Sequence, residues 1–189
     1  MTCDMYESNV QQVLIAGHPG RFRVGCSCRR NPCKHEAAAA RPQDAIALLR
    51  ADHKLVEELF EQFEKARTDE RKATLAVRIC MELKIHARIE EEVFYPAARQ
   101  ALPRSEDLLD EAEVEHDSAK ALIEQIEAGE PGDELWEAKV TVLSEYVKHH
   151  VKEEQNELFP KVRKTRLDLK ELGAQLRERK EQLMEQEGA

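Results

Sequence analysis

The sequence predicts an all-α chain: an antiparallel, up-down four-helix bundle with a flexible N-terminal tail and a C-terminal amphipathic helix. Three observations predict it. Charged residues make up 35% of the 189 residues and aromatics only 5%, a composition that suits long solvated helices better than sheets. Residues 43–95 contain neither glycine nor proline, so the backbone is free to form two long helices there. Apolar residues recur at three- and four-residue steps through four segments, the period of a helix with one buried face.

Punctuation sets the order of the elements. A first helix over 43–66 ends at Arg67-Thr68-Asp69, where Thr68 or Asp69 is placed to N-cap a second helix over 69–99. Ser105 follows a break at Pro103-Arg104 and is a natural N-cap. Glu106 and Asp107 then put acids where the helix dipole favours them, opening a third helix over 105–128. Gly129-Glu130-Pro131-Gly132-Asp133 reads as a loop, with Asp133 capping a fourth helix over 133–162. Connections this short make neighbouring helices antiparallel. Beyond Pro160, Leu169, Leu172, Leu176 and Leu183 mark an amphipathic helix interrupted by Gly173. Its stability should depend on docking, along the bundle or against a protein partner. The resulting division is a flexible tail over 1–42, a bundle over 43–163 and a terminal helix over 164–189.

Each of the four apolar stripes is broken by a histidine. His53 sits among Ile46, Leu49, Val56 and Phe60, and His116 among Leu109, Ala112, Ala119 and Ile123. His86 with Glu90 follows Leu75, Ile79 and Leu83, and His150 with Glu154 follows Leu143 and Val147. The two halves also repeat one another. HARIEEEVFYP at 86–96 returns as HVKEEQNELFP at 150–160, an offset of 64, and His53 returns as His116 at an offset of 63. A helical hairpin is written twice.

Depth along the hairpin brings these residues together. His53 lies about nine residues into its helix and His86 ten before Pro96; at 1.5 Å per residue an antiparallel pair puts them level within roughly one turn. The second half repeats the arithmetic. Glu90 and Glu154, four residues after their histidines, share the same face. Four imidazoles and two carboxylates then point into one core layer, where an unpaired carboxylate costs several kcal/mol and neutral imidazoles leave donors or acceptors unmet. A satisfied core histidine is the plain reading of one such residue. Six at one depth are better explained as ligands of divalent first-row cations. Two ions bridged by Glu90 and Glu154, each also held by two of His53, His86, His116 and His150, would use all six groups.

With ADH at 51–53, H-x-x-x-E at 86–90, EHD at 115–117, H-x-x-x-E at 150–154 and the FYP and LFP endings, the chain resembles the hemerythrin-like proteins of the HHE cation-binding domain family over residues 43–175. The resemblance implies a bundle holding two iron ions in a non-heme di-iron centre. It also implies binding or sensing of O2 or a related small molecule such as peroxide or nitric oxide, with weak catalase- or peroxidase-like turnover. Two departures stand out. Oxygen-carrying members place a second histidine four residues after the third-helix one, where this chain has Lys120, and a bridging aspartate five residues after the fourth-helix histidine, where Glu154 stands at four. These differences point away from reversible O2 carriage and toward sensing, peroxide handling or iron binding. A competing expectation is an interaction or regulatory protein whose fold a metal stabilises, without redox chemistry.

Nearby residues compete for roles. Glu57 has the spacing to join the shell but lies on the shoulder of its stripe, where a solvated glutamate is expected. His149 and Glu153 mimic His150 and Glu154, yet the repeat's spacing to proline favours His150. Phe94, Tyr95, Tyr146 and Phe159 are expected to pack the core, as is Cys80. Cys26, Cys28, Cys33 and His35 resemble a zinc set, but Cys-x-Cys is tighter than structural zinc spacings, and the plain expectation is a basic tail. A formal charge of −9 argues against nucleic acid as a partner. The absence of a signal-like start or a long apolar run predicts a cytoplasmic chain with no membrane partner.

Overall fold

The computed structural model describes residues 44–187. The expectations for the 1–42 tail, including Cys26, Cys28, Cys33 and His35, lie outside the described residues. Within them all regular structure is helical: α1 (Ala45–Lys65), α2 (Asp69–Ile89), α3 (Tyr95–Ala101), α4 (Glu106–Glu127), α5 (Trp136–Glu153), α6 (Phe159–Val162) and α7 (Leu169–Glu187).

Capping explains most of the starts. Asp44 accepts from the Ala47 N–H at 2.8 Å to open α1, and Thr68 accepts from Arg71 N at 3.3 Å to open α2. Two cap expectations are corrected. Ser105 precedes α4 but its hydroxyl makes no capping bond. Asp133 does not cap α5; its carboxylate accepts from Glu130 N–H at 2.9 Å inside the loop. The helix starts instead at Trp136, after Leu135 at φ 66°. The indole fixes that point: it is 3% exposed and donates to the Ile126 carbonyl at 3.0 Å. A Cβ on Gly129 would lie 3.0 Å from Trp136 Cδ1, so the loop needs glycine there to let the ring approach.

Neither long hairpin return is a continuous α-helix, contrary to the expectation for 69–99 and 133–162. A π turn at Glu90–Phe94 separates α2 from α3, and another at Glu154–Leu158 separates α5 from α6. Tyr95 N–H reaches back to the Glu90 carbonyl and Phe159 N–H to that of Glu154. Proline supplies the reason. Pro96 and Pro160 stand second in α3 and α6; each lacks an N–H, and its ring would strike the carbonyl four residues back in an α-helix. One extra residue in the turn carries that carbonyl aside.

α1 packs on α2 and α4 on α5; α2 also meets α4, and α1 meets α5. Two apolar clusters result. One gathers Ile46, Leu49, Ile89, Phe94, Leu109 and Phe159, the other Val56, Phe60, Ile79, Leu83, Ile123 and Leu143. α7 lies against α1, α2 and the first π turn, and Leu172, Leu176 and Leu183 join the first cluster. Burying each contributes roughly 1.5–3 kcal/mol before conformational entropy, enough to dock a helix that contains Gly173. Along α1, α2 and α4 the buried histidine falls between residues of the two clusters, and His150 stands between Leu143 of one and Leu158 of the other, just beyond α5, so the polar layer lies at their seam. No helix among the described residues is long and apolar enough to cross a membrane.

Candidate metal centre

His86 and Glu90 stand one turn apart, as do His150 and Glu154, and each glutamate is the first residue of a π turn. Both carboxylates are fully withdrawn, Glu90 at 0% and Glu154 at 2% exposure. His53 on α1 and His116 on α4 enter from the other arm of each hairpin. Their imidazoles meet Nε2 to Nε2: His53 and His86 at 2.9 Å, His116 and His150 at 3.2 Å. Carboxylate oxygens fill the gaps. Glu90 Oε2 lies 3.3 Å from His86 Nε2 and 3.4 Å from His116 Nε2. Glu154 Oε2 lies 3.3 Å from His53 Nε2 and 3.7 Å from His150 Nε2. Each glutamate therefore spans the two histidine pairs, and the structure brings all six sequence-predicted residues together. His53, His86, Glu90 and Glu154 form one grouping able to hold a cation, and Glu90, His116 and His150 a second.

The opposite edges of the rings are held from outside. His116 Nδ1 faces Glu91 Oε1 at 2.8 Å, and His150 Nδ1 faces Glu115 Oε2 at 2.9 Å. His53 Nδ1 lies 3.3 Å from the Gln155 amide, which can present nitrogen or oxygen. His86 Nδ1 faces Asp52 Oδ2 at 3.6 Å, longer than a hydrogen bond. This outer ring obeys the sequence repeat. The acid just before each first-arm histidine, Asp52 or Glu115, supports the second-arm histidine of its own hairpin. The residue just after each of these glutamates, Glu91 or Gln155, crosses to the other hairpin. None of these four was singled out as a site residue from sequence. The signal that could have found them is the repeat itself, since 52 pairs with 115 at offset 63 and 91 with 155 at offset 64.

A carboxylate only accepts, so Glu91 and Glu115 place the proton of His116 and His150 on Nδ1 and leave the Nε2 lone pair facing inward. Inward lone pairs and carboxylates at these separations repel one another. Both Glu90 oxygens and Glu154 Oε2 have no hydrogen-bond partner. Such orphaned acceptors, held by the carboxylate–histidine pattern of metal sites, fit a cation-binding centre. Electrostatics agree. Burial, then the facing Glu154 carboxylate, pushes Glu90 well above the ordinary carboxylate range. Burial also pushes Glu154 up, but contact with His53 and the charge of His150 outweigh it and hold that carboxyl down to about 2. Burial depresses His86 to about 4, which keeps it neutral and ready to donate. His150 is shifted the other way: burial lowers it, and the hydrogen bond to Glu115 with the charge of Glu154 more than restores it.

Tyr95 was expected only to pack. Its ring is buried, but its hydroxyl donates to Glu154 Oε1 at 3.1 Å and lies 3.3 Å from His116 Nε2. Burial, then the charges of Glu90 and Glu154, raises it well above its ordinary 10, so it stays a phenol. Lys120 bonds Glu91 at 2.9 Å and so stands behind His116. Glu57 is exposed and outside the cluster. His149, its side chain 61% exposed, pairs with Glu153 at 3.2 Å on the surface.

The sequence profile of the hemerythrin HHE cation-binding domain matches residues 44–162, spanning all six of these side chains. The chain belongs to the hemerythrin HHE cation-binding domain family. The family is thus one of cation binders, and in this HHE domain the candidate ligands are the His/Glu groupings just described. The fold agrees with a solved structure, a hemerythrin HHE cation-binding domain-containing protein from Mycobacterium kansasii, with a TM-score of 0.66 at 24% identity over 76% of this chain and 89% of that one. Among curated proteins the chain is similar to a DNA nickase from Nostoc sp. (strain PCC 7120 / SAG 25.82 / UTEX 2576), 30% identical over 116 residues. That match covers 61% of this chain and about a third, 32%, of the nickase.

Proposed function

We propose that this HHE domain is an antiparallel, up-down four-helix bundle holding a non-heme di-iron centre that binds or senses O2 or a related small molecule. His53, His86, His116 and His150 would hold the ions, with Glu90 and Glu154 shared between the two. In this reading the domain spans 43–163, with a tail over 1–42 and the terminal helix over 164–189, in a cytoplasmic protein. One observation carries it: four Nε2 atoms and two carboxylates face one another in a buried layer while outer residues bond the Nδ1 edges of His53, His116 and His150. That arrangement is costly for a metal-free core and suited to two cations. Iron is the family's implication, since mixed nitrogen and oxygen donors accept several first-row metals.

When bound, the iron pair supplies a Lewis-acidic, redox-active centre. The chain's own residues seat the small molecule. A cavity of about 40 Å³ touches all four histidines and is walled by Val56, Leu83, Ala119, Ile123 and Val147. It exceeds the 10–15 Å³ or so that one water needs, and its apolar wall favours a small, weakly polar guest. Tyr95 stands outside the lining of this cavity; it holds a proton at its hydroxyl beside His116 and donates it to Glu154, steadying that carboxylate. The cavity favours this reading over a purely structural metal, which needs no seat against its ligands.

The test is anaerobic reconstitution with ferrous iron, followed by O2, peroxide or nitric oxide. Charge-transfer bands should appear on oxidation, and a nitrosyl spectrum with nitric oxide. A colourless protein under every treatment contradicts the proposal. If metal removal melts the fold and abolishes partner capture while no redox change occurs, the metal-stabilised interaction protein is the correct reading.

A further inference from the structure

We propose that the C-terminal helix is part of the metal centre: Lys180, acting through Asp52, is a positioning residue for His86, and α7 thereby sets the cation affinity of the His53/His86 position. The inference rests on the two-cation reading above. α7 begins at Leu169, beyond the 44–162 segment that the family profile matches, so nothing about the domain itself requires it at the site.

Lys180 Nζ bonds Asp52 Oδ1 at 2.6 Å, with side chains 18% and 12% exposed. The other oxygen, Asp52 Oδ2, has no hydrogen-bond partner and is aimed at His86 Nδ1, which has none either. A lysine thus pins one oxygen of the carboxylate and leaves its mate facing the imidazole. The opposite histidine pair has the same chain of contacts built from bundle residues: Lys120 to Glu91 to His116. The α1/α2 hairpin has no equivalent lysine of its own. At the position related to Lys120 by the 63-residue offset stands Glu57, which is exposed. By the repeat's offsets Glu91 answers to Gln155 on His53, and Asp52 to Glu115; the lysine on Asp52 thus lies outside the repeat and comes from α7.

A second contact on the same helix reaches the turn that carries Glu90, which belongs to both groupings. Arg179 pairs with Glu92, inside the π turn that begins at Glu90. With Leu172, Leu176 and Leu183 buried in the apolar cluster that also holds Ile89 and Phe94, the helix is seated firmly enough to position Lys180. It grips both the support of His86 and the turn that delivers Glu90. A lysine that merely neutralised a buried aspartate would affect stability and leave cation affinity alone.

Anaerobic titration of the full-length protein with Co2+, read by absorption and by competition with a chelator, separates the two roles. Wild type should take two equivalents. Lys180→Met, with its helix content checked by circular dichroism, should bind one equivalent about tenfold more weakly, the usual size of a supporting-residue effect, and the other unchanged. Lys180→Arg should restore much of the loss, and Lys120→Met should weaken the other equivalent instead. Asp52→Asn, which keeps shape and removes charge, gives the same reading as Lys180→Met and stands in for it if that variant does not fold. Unaltered affinities in folded Lys180→Met or Asp52→Asn overturn the inference, even if the melting temperature falls. Wild type that takes up no cobalt overturns the two-cation reading itself.

Discussion

The Nε2 atoms of His53 and His86 face each other 2.9 Å apart at the seam of two apolar clusters, and His116 repeats the relationship with His150 at 3.2 Å. Imidazoles placed this way share a proton or share a cation. With Glu91 and Glu115 already engaging the outer nitrogens of one pair, the inner faces are acceptors, and Glu90 and Glu154 add more acceptors between them. In the proposed reading, stability is given up at this layer to make a binding site.

That trade predicts opposite effects of one substitution. Glu90→Gln keeps the shape and removes a buried carboxylate whose two oxygens have no partner. Cation occupancy should fall, while the metal-free protein should gain on the order of 1 kcal/mol or more at pH 8. Metal analysis and thermal unfolding of the stripped variant check both halves. A variant that is less stable without metal would mean that Glu90 is satisfied in some other way.

Tyr95→Phe should behave differently. Removing the hydroxyl leaves Glu154 Oε1 without its donor at 3.1 Å, a cost of about 1–3 kcal/mol for a buried acceptor. The packing of the ring against Phe94 is kept, so circular dichroism should be unchanged while the melting temperature drops. Tyr95 does not line the cavity, so release of nitric oxide from the loaded protein should keep its rate; a faster release would mean that the hydroxyl reaches the guest as well as Glu154.

The metal-free chain should lose stability as pH rises above about 6.5. His150 is raised above its ordinary 6.5, so its contribution is fully present below that value and is lost as pH climbs through the folded one. Glu90, raised well above 4.5, likewise keeps a proton in the fold that the unfolded chain has released, and gives it up in the same direction. His86, at about 4, and Glu154, at about 2, finish titrating below this window and do not oppose the trend. Bound cations replace those protons, so the loaded protein should show no comparable decline. Melting temperatures from pH 6.5 to 9, with and without metal, test it; parallel curves would contradict it.

Much of this was legible in the sequence because the helices and the inward residues obey the same period. A stripe at three- and four-residue steps marks His53 or His116 as readily as it marks leucine, and the doubled phrase ending in Pro96 and Pro160 set their depth. The outer ring was encoded too, since Asp52 aligns with Glu115 and Glu91 with Gln155, but charged residues beside a buried one look like ordinary solvated neighbours. The π turns were hidden because one extra residue in a turn barely disturbs a stripe, and only the prolines marked them. Asp133 resembled a cap, yet the buried indole of Trp136 fixed where α5 begins. Lys180 could not be read at all: it meets Asp52 from 128 residues away, and no local pattern links them.

Metal stoichiometry resolved by histidine pair tests the central claim most directly. After anaerobic loading with ferrous iron, elemental analysis of wild type should give two ions per chain. The double variants His53→Ala/His86→Ala and His116→Ala/His150→Ala should each retain about one, and Glu90→Ala should lower occupancy at both positions. Wild type carrying no iron, or double variants that keep the wild-type content, would contradict the account.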